Sequence, residues 1–501
     1  MKKKLFITLC ILAVGIESSA QSFDEYRESI KANYEKFRKE TNDDFEAYRK
    51  KINADYADFM RKAWSKYNTQ EAKPMPTRPE PVAPVVKNPD EPAITEPRPL
   101  VVDAPPTKPI STSKPTTITA PQANVNSKPI DIPEINISSP HLEFSFYGTP
   151  CHVSADESYR YTLDKLNNDG IADAWVQLST DKYYDLVNEM VTLRHDLNLC
   201  DWGYVRLVEK MTTTLFSTQH INEARVMQMF ILTQSGYKVR MAQSEGRILL
   251  LLPFADNSNI YEYMYVLKGN IRYYILDKGF KGGSLALFDQ EFPNEQYVSL
   301  LVSSTPALKS KPTQARHYAS KRYPTMSVEL SLNRNLIDFY NEYPLSDAWN
   351  MYVLASISEQ SRKQMYAQLR KHIADKSKND AADMLLNFVQ TAFEYEVDDT
   401  QFGKERPLFG DETLFYPYSD CEDRSILYAI LVRELLGLDV VLLEYPMHLA
   451  TAVCFGNDIT GRYITHNGKR YFVCDPTYIG ASIGEAMPLK NNDKINVIEI
   501  K

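Results

Sequence analysis

Cysteine is scarce in this chain: 501 residues carry six, at positions 10, 151, 200, 421, 454 and 474. None forms a C-x2-C pair, so a zinc site drawn from Cys421, His448, Cys454 and Cys474 lacks the close ligand pair that structural zinc requires. Long basic runs are missing as well, and the formal charge of −8 argues against a nucleic-acid surface. Beyond the N-terminus no stretch approaches the ~18 uninterrupted apolar residues of a membrane helix, so no integral segment is expected after processing.

The first twenty residues, in contrast, read as a signal peptide. Met1-Lys-Lys-Lys4 is a basic start, Leu5 to Val14 a short apolar core, and Ser18-Ser-Ala20 a small-residue cleavage site. Cys10 lies inside the apolar core with no small residue just before it, which argues against a lipid anchor. The expected protein is periplasmic or secreted. Five cysteines remain in a disulfide-permitting compartment, an odd number that leaves at least one free thiol.

Residues 21–69 carry an eleven-residue repeat: Phe23, Tyr34, Phe45, Tyr56 and Tyr67 form one aromatic row, and Tyr26, Phe37, Tyr48 and Phe59 a second. That period predicts a nearly straight amphipathic helix. Two rows of exposed aromatics are costly in water, so the face calls for self-association, a protein partner or the chain's own globular part. From 70 to 139 the composition turns to Pro, Thr, Val, Lys and Ser, which predicts a disordered linker.

Folded sequence resumes with the period-two strand Leu142 to Tyr147. Leu166-Asn-Asn-Asp-Gly170 reads as a turn rather than a calcium loop, because the first ligand position falls on Lys165. Helices are expected over 181–197 and 204–216, and strands over 247–253 and 271–277. Residues 309–327 read as a connection, and helices follow at 349–357, 361–373 and 381–393.

One stretch organises the rest. Tyr418-Ser-Asp-Cys-Glu-Asp-Arg-Ser425 leads into the apolar run Ile426 to Leu436, closed by Gly437. It reads as a buried helix with Cys421 at its start, where the helix dipole and unpaired N–H groups favour a thiolate. A lone cysteine is more often a small core residue, but the charged flank Asp420, Glu422, Asp423 and Arg424 is a poor setting for inert packing. Downstream, Tyr445-Pro-Met-His448 opens an apolar strand, and Arg470 to Asp475-Pro-Thr closes another. A thiol needs a base, and an imidazole needs a carboxylate to fix its tautomer. Cys454 and Cys474 lack such context and read as core residues, with a disulfide between neighbouring strands as the alternative.

Asp420-Cys-Glu-Asp423 before an apolar helix, a strand His448 and a strand Asp475-Pro-Thr resemble the transglutaminase-like superfamily, and Asn387-Phe-Val-Gln390 with Phe393-Glu-Tyr395 matches the preceding helix. The resemblance covers the last third of the chain. It implies an α+β architecture with a papain-like core over 328–501, an amide substrate in a peptide or protein, no cofactor, a thioester on Cys421, and hydrolysis rather than cross-linking, as is common in bacterial proteins of this type. Position alone nominates Tyr416 or Tyr418 as an oxyanion donor. Residues 140–308 hold a helix followed by strands in the same order, with Asn222 where Cys421 would stand. A degenerate copy and a coincidence of two α+β segments are both open at this level. The competing class is a non-catalytic peptide-binding scaffold.

Overall fold

The computed structural model describes residues 50–76, 83–90, 94–100, 141–255, 259–288, 290–292, 295–456, 459–488 and 495–500. The leader, most of the aromatic repeat and residues 101–140 lie outside these ranges.

The chain is α+β. Helix α1 (50–60) is the described end of the aromatic repeat. Its buried face docks on the chain's own body, Tyr56 lying 5.0 Å from the Trp175 ring and in edge contact with Phe288. The helix stops before Tyr67, which belongs instead to strand β1 (Ser65–Asn68).

The proline-rich stretch is not a free tether where it is described. Strands β2 (Val85–Val86) and β3 (Pro97–Pro99) lie on the C-terminal part of the chain, and Met75 is buried. Prolines donate no ladder hydrogen bond and so suit an outermost strand, where Arg98 faces Arg462.

The middle part begins with the hairpin β4 (Leu142–Phe146) and β5 (Thr149–Val153). Helices α2 (Asn168–Leu178), α3 (Asp181–Asp196), α4 (Asp201–Phe216) and α5 (Ile221–Gln234) follow. The expected turn at 166–170 is the start of α2. Asn167 caps it by accepting the Gly170 N–H at 3.0 Å, so the residues that punctuate a turn here open a helix. Strands β6 (Arg240–Ser244), β7 (Arg247–Leu252), β8 (Tyr265–Lys268), β9 (Ile271–Ile275) and β10 (Ser284–Phe288) form a sheet with β1, ordered β1-β10-β6-β7-β9-β8.

The expected connection at 309–327 contains β11 (Arg316–Ala319), paired with β12 (Ser327–Leu330). Then come α6 (Arg334–Asn341), α7 (Trp349–Val353), α8 (Glu359–Ile373), α9 (Lys378–Ala392), α10 (Asp398–Phe402), α11 (Gly410–Phe415) and α12 (Cys421–Leu436). Strands β13 (Asp439–Tyr445), β14 (His448–Cys454), β15 (Gly461–His466), β16 (Lys469–Cys474), β17 (Tyr478–Ile479) and β18 (Asn496–Glu499) complete the chain. The second six-stranded sheet runs β18-β13-β14-β16-β15-β3, while β17 pairs with β2. One apolar cluster runs through both parts, from Tyr56 on α1 to Cys474 on β16, and joins them into one body.

Candidate active site

Helix α12 is buried from Cys421 through Val432, which explains a sequence apolar on every face. Asp420 precedes it, its backbone N–H 3.4 Å from the Asp423 carboxylate three residues on. Gly437 ends it in the left-handed conformation at φ 62°, where a β-carbon is penalised. Cys421 therefore occupies the first helical position, as its sequence context suggests.

The surroundings of the sulfur are acidic. Sγ donates to the Glu422 carboxylate at 3.0 Å. Asp398, Asp420 and Asp423 each offer an oxygen within 4.8 Å of the others, and so do Asp398, Glu405 and Glu422. Such a group holds either protons or a hard divalent cation. Burial, joined by the charges of Asp423 and Glu422, pushes the Asp398 carboxyl up to about 10. Burial and neighbouring carboxylates also push Asp420 and Asp423 well above the usual range. These shifts favour protons, and protonated neighbours oppose a thiolate less than ionised ones would.

Arg424 braces this end of the helix. It donates to Ser419 Oγ at 3.2 Å, to the Gln390 carbonyl at 3.3 Å and to the Phe393 carbonyl at 2.9 Å. Burial lowers its pKa to about 10 against the upward pull of Tyr395, Asp420 and Asp423. The Tyr395 phenol lies under this guanidinium, 5.2 Å from ring centroid to charge. Burial first, then Cys421, Asp420 and Glu422, raise its pKa, so it stays a neutral O–H beside the thiol.

His448 opens β14 after the two-residue turn Pro446-Met447, opposite Tyr445. It is fully buried, with Nε2 2.9 Å from Asp475 Oδ2. Its Nδ1 is buried and has no hydrogen-bond partner among the described residues. The pair follows from strand register. Thr451 faces Cys474, so Ala450 lies across from Asp475, and His448 is one diagonal step further along the same face. Asp475 Oδ1 accepts the N–H of Thr477 at 2.9 Å and of Tyr478 at 3.3 Å, which fixes the carboxylate.

Two bridges tie the halves together. Ser425, one turn along from Cys421, donates to the Leu449 carbonyl beside His448 at 2.8 Å. Gln390 donates its side-chain amide to the carbonyls of Asp475, Tyr478 and Ala481 at 3.1, 2.8 and 3.1 Å, while its backbone carbonyl accepts from Arg424. Nδ1 of His448 and Sγ of Cys421 are not hydrogen-bonded to each other in this state.

Of the two tyrosines nominated by position, one is bonded through its hydroxyl and the other through its backbone. The Tyr416 hydroxyl donates to Asn341 Oδ1 at 2.6 Å, and the Tyr418 backbone is clasped by the Gln401 amide. Tyr395, Arg424 and Gln390 are the site residues that the sequence reading gave no role. The segments 387–390 and 393–395 held the signal for Gln390 and Tyr395, and the charged flank of Cys421 that for Arg424. Cys454 and Cys474 are free thiols, as are Cys151 and Cys200. A cavity of about 520 Å³ between Leu300, Leu301, Trp349, Glu444 and Asn496 is lined by none of Cys421, His448 or Asp475.

No protein-family model, no curated protein and no solved structure matches this chain.

Proposed function

We propose that this chain is a transglutaminase-like cysteine enzyme that acts on amide bonds of peptides or proteins, hydrolysing them rather than cross-linking, in the periplasm or outside the cell. The observation that carries this is the divided imidazole: Nε2 of His448 is committed to Asp475, and Nδ1 is buried with no hydrogen-bond partner among the described residues. That is the arrangement of a base with a fixed tautomer.

In the proposed reaction the Cys421 thiol proton passes to His448 Nδ1 as sulfur bonds to the amide carbon. The proton then goes to the departing nitrogen, the C–N bond breaks, and a thioester remains on Cys421. Water attacks the thioester, gives a proton to His448 and releases the carboxylic acid with regeneration of the thiol. The Cys421 N–H at the helix start and the neutral Tyr395 hydroxyl are the candidate oxyanion donors.

Cys421 is 3% exposed and His448 0%, so substrate entry requires an opening of this region. That closure favours the second reading, a peptide-binding scaffold without turnover. The two separate on labelling with an electrophilic peptide amide analogue. The enzyme reading requires a covalent adduct on Cys421 that is lost in C421A and slowed in H448A; absence of any adduct on the intact protein removes it.

A further inference from the structure

The two six-stranded sheets share more than a strand count. Each begins after a helix, α5 or α12, and runs as two hairpins in the order first-second-fourth-third. All four hairpins close on two-residue turns: Ser244 faces Arg247, Lys268 faces Ile271, Tyr445 faces His448 and His466 faces Lys469. A later strand, β10 or β18, adds antiparallel beside the first.

Residue positions coincide as well. When Arg247 is laid on His448, Tyr265 falls on Tyr463 and Tyr274 on Phe472. These are facing ring pairs with centroids 5.6 Å apart at 51° in one sheet and 5.5 Å apart at 50° in the other. The face turned away from the helix carries its own small core in both sheets, with Ala242, Val266 and Tyr273 matching Leu443, Ile464 and Tyr471. A chance pairing of two α+β segments has no reason to repeat turn lengths, register, ring geometry and the second core together.

The register then identifies the counterparts of the reactive pair. Leu251 faces Ile275, which sets Leu249 across from Asp277 and places Arg247 one diagonal step away. His448 and Asp475 hold that same relation around Ala450. Arg247 and Asp277 are ion-paired, and Arg225 from α5 reaches the same carboxylate at 3.4 Å. At the helix start Asn222 accepts the Ile248 N–H at 2.9 Å and donates to the Gly246 carbonyl at 3.2 Å, fastening the helix to the hairpin turn. No cysteine stands there.

We infer that residues 221–288 are a second, chemically silent copy of the unit at 421–499, in which the Arg247–Asp277 ion pair occupies the place of the His448–Asp475 pair and serves as a structural lock. The chain thus carries one unit able to move a proton and one in which a permanently charged guanidinium has no lone pair to accept one. The geometric part of this inference is independent of whether Cys421 forms a thioester.

Substitution Arg247→His tests it. The imidazole of R247H should bond to Asp277, and adding D277N should lower its NMR titration midpoint by about one pH unit. A midpoint indifferent to D277N overturns the assignment. Should R247H fail to fold, a crystal structure of the unaltered protein decides: superposing 240–277 on 441–475 must bring the Cα atoms of Arg247 and His448 within roughly one residue rise, about 3 Å, and a larger separation overturns the inference. The silent role is read separately, since D277N should lower the melting temperature and leave the Cys421 alkylation rate unchanged. Slowing of that rate tenfold or more by D277N would refute the lock.

Discussion

The side chain of Gln390 holds Asp475 from behind: its amide group is 3.1 Å from the Asp475 carbonyl and also serves the carbonyls of Tyr478 and Ala481. The carboxylate that orients His448 therefore depends on a glutamine 85 residues earlier in the chain. Replacing Gln390 by leucine removes a donor from three carbonyls, all on buried residues. The expected loss is roughly 2–4 kcal/mol of stability, read as a shift in the urea midpoint. A loss under about 0.5 kcal/mol, the noise of a surface substitution, would show that Gln390 is not the brace.

Asp475→Asn tests the orientation of the imidazole. Asn keeps the shape and removes the charge, so the thiol should react about 10²–10⁴ times more slowly with an alkylating agent while the fold persists. Cys421 is the thiol read in a C454S background. Burial pushes Cys151 up to about 11 and raises Cys200 and Cys474, so these stay protonated near neutrality. An unchanged rate would separate the His448–Asp475 pair from the thiol.

Asp398 gives a pH signature. Its folded pKa of about 10 lies above that of an unfolded aspartate, so the folded state binds more protons between roughly pH 4 and 10. Its contribution to stability falls as pH rises through that window and is unaffected below it. Asp398→Asn keeps an oxygen for the Arg406 N–H, now 2.6 Å away, and removes the titration. The variant should match the native protein near pH 4 and melt at a higher temperature as pH climbs to 9. Parallel melting curves across that range would contradict the shift.

Val85 packs on Tyr478, Ala481 and Met487, and the next residues are pinned by the Lys87 N–H on the Ile479 carbonyl at 2.9 Å. Val85→Asp should release this stretch and open it to proteases, since a short strand added at an edge rests on few bonds. Limited proteolysis followed by mass spectrometry should find cleavage between 83 and 100 at least tenfold faster than in the native chain. Equal rates would mean that the pairing with β17 does not hold it.

Arg424→Lys retains the charge and loses the planar fork that reaches Ser419, Gln390 and Phe393 together. A loss of about 2–3 kcal/mol is expected from donors withdrawn from buried carbonyls, measurable by denaturant titration. Full retention of stability would assign the bracing to the neighbouring backbone instead.

The sequence by itself determined the features that depend on near neighbours. A run apolar on every face, with Asp420 before it and Gly437 after it, specifies a buried helix with a thiol at its first turn, because caps and periodicity act over a few residues. Alternation likewise marked β4, and short apolar runs marked β7, β9 and β14. Tertiary structure alone decided the diagonal that joins His448 to Asp475, the reach of Gln390, the placing of the Tyr395 ring beneath Arg424, and the diagonal that joins Arg247 to Asp277. Each of these rests on strand register or on backbone carbonyls, and a carbonyl looks the same in every residue. For the same reason prolines at 97 and 99 read as linker: what fixes them is an unpaired edge on β15, hundreds of residues away, which leaves no mark on the local pattern.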